Sequence, residues 1–221
     1  MIISLTGFMG CGKSSVGRKL SELLCCRFMD LDKEIEEREG RSIADIFEKD
    51  GEGEFRRIEK EVLKEILDSH GRVPVIPMTP ASASLQHPLA GGGMSSPSSG
   101  TPALKSNQKY ASVVLALGGG AVMTEGSEEM VHEGTICVYL KASVDTLVEH
   151  LSGETSGRPL LNNQSVMSSE VETSPLRKRI LELMSLRAET YLRTAHLIIE
   201  TDGKSIDEIA NEIIKLKHTI L

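Results

Sequence analysis

The chain has 221 residues, 39% hydrophobic and 26% charged, with a formal net charge of −7, which is enough length for one sizeable core in a globular protein. The acidic balance argues against nucleic acid as a partner, and three tyrosines, four phenylalanines and no tryptophan leave few stacking platforms for bases. No apolar run approaches the ~20 residues of a membrane span, and the amino terminus enters a strand without a basic, cleavable leader, so no membrane association and a cytoplasmic location are expected.

The first element is the apolar run Ile2-Ile3-Ser4-Leu5, read as a buried strand. Directly after it, Gly7-Phe8-Met9-Gly10-Cys11-Gly12-Lys13-Ser14 completes the pattern G-x4-G-K-[ST]. Such a loop turns backbone N–H groups inward around nucleotide phosphates, brings its lysine near the β- and γ-phosphates and offers its serine hydroxyl to Mg2+. The pattern carries that meaning between a strand and a helix N-terminus, and both flanks are present: Val16, Leu20, Leu23 and Leu24 recur at helical spacing. The four cysteines, Cys11, Cys25, Cys26 and Cys137, lack the paired spacing of a zinc site, and Cys25-Cys26 at the end of this helix are expected to be buried thiols.

A short strand, Arg27-Phe28-Met29, leads into Asp30-Leu31-Asp32. If the strand persists, both carboxylates fall on one side at the carboxyl end of the sheet, where ligands of open α/β sheets bind. One carboxylate near Mg2+ and one accepting a hydroxyl proton would serve phosphoryl transfer. Asp32 has a second reading, as N-cap of the helix of Lys33-Glu34-Ile35-Glu36. The next helix is predicted over 52–68, where Phe55, Ile58, Val62 and Ile66 keep helical spacing among charged neighbours. On it Arg56 is either the i,i+4 partner of Glu52 or a planar cation for an anionic substrate.

The segment 73–112 holds six of the eight prolines, Gly91-Gly92-Gly93 and many serines, and is expected to be a flexible surface insertion. Val113-Val114-Leu115-Ala116-Leu117 follows as a strand ending in Gly118-Gly119-Gly120, which suits either close approach of backbone amides to a ligand or a plain tight turn. Ile136-Cys137-Val138-Tyr139-Leu140 and Leu197-Ile198-Ile199 are the last two strands. Between them lie a polar stretch, 152–174, that contains Arg158 and suits a closing lid, and a helix from about Pro175 that carries Arg187, a second candidate for an anion. A final helix starts at Ser205, with Glu208 completing a capping box. Strands alternating with helices imply a parallel sheet covered on both faces.

In this order, the loop, the Asp30-x-Asp32 pair, Gly40-Arg41-Ser42-Ile43-Ala44-Asp45-Ile46-Phe47, Gly51-Glu52-Gly53-Glu54-Phe55-Arg56-Arg57-Ile58-Glu59, Leu117-Gly118-Gly119-Gly120-Ala121-Val122, Arg158-Pro159-Leu160-Leu161 and Arg187-Ala188-Glu189-Thr190-Tyr191 closely resemble the shikimate kinases. The resemblance implies a three-layer α/β fold of the nucleoside-monophosphate-kinase type, a P-loop NTPase with a five-stranded parallel sheet, lid and substrate-binding helices. It implies one kinase domain over 1–221, with 33–70 binding substrate and 151–175 forming the lid. The implied reaction transfers the γ-phosphate of ATP to the 3-hydroxyl of shikimate, in a monomer, on the route to chorismate and aromatic amino acids.

By the same resemblance, Gly10, Cys11, Gly12, Lys13, Ser14 and Ser15 would hold the phosphates, Ser14 would ligate Mg2+ with Asp30 nearby through water, and Arg158 would reach ATP from the lid. Shikimate would meet Asp32, Arg56, Gly118, Gly119, Gly120 and Arg187, the arginines on its carboxylate and Asp32 on its hydroxyls as base, with Ile43 and Phe47 lining the pocket. Lys13, Asp32 and Arg158 are then the catalytic set. One position departs: where relatives often carry an adenine-packing arginine, this chain has Leu151, beside His150. A kinase for gluconate or a nucleoside monophosphate shares the loop but not the combination of Asp32, Arg56, Gly119 and Arg187. A nucleotide-binding module without catalysis would usually lack Lys13 or Asp32.

Overall fold

The computed structural model describes residues 1–70, 113–152 and 174–220. The 73–112 insertion, Arg158 and nearly all of the 151–175 lid region lie outside the described residues.

Every residue of β1 (Ile2–Thr6) is buried, as a strand covered on both faces requires. It is the central strand of a five-stranded parallel sheet ordered β2-β3-β1-β4-β5, with β2 at Arg27–Asp30, β3 at Val113–Ala116, β4 at Ile136–Lys141 and β5 at Leu197–Glu200. Each strand coincides with an apolar run read from the sequence. Because successive side chains point to opposite faces, the strands feed two separate cores. Ile2, Val113, Leu115, Cys137 and Tyr139 pack against α2 (Leu31–Glu39), α3 (Ile43–Lys49), α4 (Gly51–His70) and α5 (Ser127–Gly134). Ile3, Leu5, Val114, Val138 and Leu140 pack against α1 (Lys13–Leu23), α6 (Val144–Ser152) and α8 (Ile206–Ile220). The remaining helix, α7 (Pro175–Thr194), serves both, giving Ile180 and Leu183 to the second core and Tyr191 to the first.

Local sequence explains the helix ends. Ser174 accepts the Arg177 N–H at 3.1 Å and Pro175 takes the first helical position of α7, where a missing donor costs nothing. Ser205 and Glu208 form the expected capping box on α8: Ser205 N–H donates to Glu208 Oε2 at 2.8 Å and Glu208 N–H to Ser205 Oγ at 3.3 Å. The predicted 52–68 helix is α4, three residues longer in total, and buries Phe55, Ile58, Val62, Leu63 and Ile66 on one face.

Four expectations need correcting. The second strand does not persist beyond Asp30, which is the residue preceding α2, so Asp30 and Asp32 are not strand neighbours. Asp32 is therefore in the first turn of α2 and is not its N-cap, while the Asp30 carboxylate makes no cap bond because it accepts the Ser14 hydroxyl. Cys25 is exposed, at φ 49° in the turn that closes α1, and Cys26 is partly exposed, so the pair is not a buried one. Leu23, assigned to the apolar stripe of α1, is 42% exposed at its last turn.

Among the described residues, no helix is long and apolar enough to cross a membrane.

Candidate active site

The phosphate loop ends at Gly12, whose φ of 89° is a left-handed conformation that side chains resist, and α1 starts at the next residue. That junction directs the first N–H groups of α1 and its positive dipole end out of the carboxyl edge of the sheet. Lys13 Nζ donates to the carbonyls of Gly7 at 2.9 Å and Phe8 at 3.0 Å, which holds the ammonium over the loop. Ser14 Oγ donates to Asp30 Oδ2 at 2.7 Å, bringing a hydroxyl from the first turn of α1 to a carboxylate at the end of β2. Both are hard oxygen donors of the kind Mg2+ prefers, so the pair expected to serve the metal fits it chemically. On the far side of the loop, His150 Nδ1–H donates to the Gly10 carbonyl at 2.8 Å. Leu151 is 1% exposed and packs against Gly10, so position 151 supports the loop from behind, and His150 with Thr146, Lys204 and Ile206 lines the cavity there.

The acceptor residues meet at the triglycine turn after β3. A Cβ on Gly118 would lie 2.8 Å from both Asp32 Oδ1 and Glu59 Oε1, and one on Gly120 would lie 2.6 Å from Arg56 Nη2. Side chains of α2 and α4 thus close directly onto backbone that carries no side chain. Gly119 faces the other way: its absent Cβ would be 3.4 Å from the backbone nitrogen of Met9 in the phosphate loop. Its carbonyl accepts from Arg187 Nη1 at 3.4 Å and from the Tyr191 hydroxyl. The loop, Asp30, Asp32, Arg56, Glu59, the three glycines and Arg187 all line one cavity of about 1170 Å3, with Ile43 and Phe47 on its wall.

Charge in this cavity is arranged by burial. Arg56 pairs with Glu52 at 3.2 Å, as its bland reading requires, but also with Glu59 at 2.7 Å, and Glu59 is 2% exposed. Burial works against the Arg56 charge, and the two glutamates more than offset it, so the guanidinium stays ionised. Burial, and then the neighbouring Asp30 charge, push the Asp32 carboxyl above the usual carboxylate range, with Lys13 and Arg56 opposing. Burial does the same to Glu59, against Arg56. Arg187 is 9% exposed, and its guanidinium stands 6.0 Å from the centre of the Phe8 ring.

Apart from Arg158, every residue assigned to a site from sequence falls in this one cavity. Sequence reading missed Glu59 and Tyr191. Glu59 lies four residues after Phe55 and three before Val62, a core position of α4 held by an acid, and that misplacement was the available signal. Tyr191 sits one turn after Arg187, inside a block noted only for its resemblance.

A family model for shikimate kinase matches residues 9–81 and 101–217. A shikimate kinase of Thermus thermophilus is 34% identical over 213 residues, covering 96% of this chain and 88% of that one. One from Dictyoglomus turgidum is 31% identical over 215 residues, covering 96% of this chain and 95% of its own. Among solved structures, a shikimate kinase from Acinetobacter baumannii in complex with shikimate superposes with a TM-score of 0.71 at 30% identity, over 99% of this chain and 93% of that one.

Proposed function

The chain belongs to the shikimate kinase family, and from that premise we propose that it transfers the γ-phosphoryl group of ATP to the 3-hydroxyl of shikimate, giving shikimate 3-phosphate and ADP on the route to chorismate. One observation carries the reading: a phosphate loop, the half-buried Asp32 carboxylate and two arginines converge on the Gly118-Gly119-Gly120 turn. A phosphate donor and a carboxylate-bearing alcohol can therefore occupy one cavity side by side.

The division of labour follows from the chemistry of each group. Arg56 and Arg187 offer planar two-point donors to the acceptor's carboxylate, and the Glu59 carboxylate fixes the Arg56 plane. Asp32 accepts the proton of the attacking hydroxyl as its oxygen bonds to the γ-phosphorus and the bond to the ADP oxygen breaks. A carboxyl raised toward the working pH is a better base than an ordinary aspartate. Lys13 and the amides of Gly10, Cys11, Gly12, Ser14 and Ser15 spread the phosphate charge. Ser14 Oγ would hold Mg2+ arriving with ATP, with Asp30 nearby through water, and the ion would supply neutralisation of phosphate charge. Arg158 would reach the phosphates from the lid over 151–175. We read the chain as one kinase domain, monomeric and cytoplasmic.

An ATP-consumption assay with Mg2+ and, in turn, shikimate, gluconate and several nucleoside monophosphates tests the reading. Turnover is expected with shikimate and lost on chelating the metal. Turnover with a nucleoside monophosphate alone would overturn it.

A further inference from the structure

Tyr191 has no exposed surface, and its ring lies in the first core 5.2 Å from that of Tyr139. Its hydroxyl donates to the Gly119 carbonyl, and the Arg187 guanidinium reaches the same carbonyl at 3.4 Å. Hydroxyl and guanidinium, one turn apart on α7, share one acceptor, which ties the three groups into one set. Gly119 stands between two other glycines, the least restrained backbone a turn can have, and no side chain of its own can hold it.

We infer that Tyr191 is a positioning residue for the acceptor site, tying Arg187 on α7 to the triglycine turn so that carboxylate donor and backbone move as a unit. The inference rests on the function proposed above. Without the hydroxyl, the Gly119 carbonyl keeps only the longer bond to Arg187, while packing of the ring is unchanged.

Tyr191→Phe separates this role from packing. With both substrates varied, the KM for shikimate should rise about tenfold, the scale of one hydrogen-bond network lost, while the KM for ATP stays within about twofold. Unchanged KM for shikimate, or a parallel rise for both substrates, would refute the inference. Hydrogen exchange of peptides covering 117–123 in the ligand-free protein gives an arm independent of the substrate. Exchange there should quicken about tenfold in the variant, and equal rates would refute the coupling even if the wild-type protein proved inactive on shikimate. Wild-type inactivity would refute the proposed function alone.

Discussion

Asp32 is held where its charge is uncomfortable. Burial and Asp30 raise its folded-state pKa, so the folded protein binds that proton more tightly than the unfolded chain does. The stability this group contributes is complete below its unfolded pKa and is lost as pH rises through the folded value, which makes the ionised carboxylate a net cost at neutral pH. Asp32→Asn should therefore abolish turnover yet raise Tm at pH 7 by about 2–4 °C, equivalent to about 1 kcal/mol in a chain of this size. The gain should shrink as the pH approaches 4, and thermal unfolding at both pH values measures it. An unchanged or lower Tm at pH 7 would show that Lys13 and Arg56 fully compensate the charge. Asp32, Arg56 and Arg187 were legible in the sequence because each belongs to a block with a known partner chemistry. Glu59 was not, since an acid on a charged helix looks solvated until the helix is turned to show which face is buried.

At the scale of elements, apolar runs located all five strands and helical spacing located α1, α4 and α8, because those patterns report burial directly. The end of β2 escaped the same reasoning. Asp30 ends β2 and directly precedes α2, and its carboxylate accepts the hydroxyl of Ser14, 16 residues away in sequence, a contact that local rules do not see. The turn after β3 invites a sharper test. Gly118→Ala would place a methyl 2.8 Å from two carboxylate oxygens, both held by their helices, and should raise the KM for shikimate at least about tenfold with ATP binding retained, the effect of overpacking at a fixed contact. Ser205→Ala in the capping box of α8 is the matched control, expected to cost about 1 kcal/mol in urea unfolding and to leave the shikimate KM unchanged. Equal KM values for wild type and Gly118→Ala would mean that the turn does not form the acceptor wall.

For the whole molecule, donor and acceptor sites stand on different supports, the first on β1 and α1, the second on α2, α4 and α7 around the end of β3. Each ligand should then raise Tm by itself, by about 5–10 °C at a hundredfold excess over its Kd. In Arg56→Ala the increment from shikimate should vanish while that from Mg-ATP persists, and differential scanning fluorimetry with each ligand alone reads both. Loss of both increments would show instead that the arginine holds the fold. The strand order has a consequence in time. β1 and β2 are not neighbours; β3 lies between them and pairs with both, Val113 standing beside Ile2 on one side and Arg27 on the other. Among the described residues, a nascent chain carrying only the first hundred has the phosphate loop, both aspartates and Arg56, while the strand that pairs with both β1 and β2 is still to come. The ladder that β1 and β2 share through β3 forms only once that strand, about a hundred residues beyond the loop, has been made.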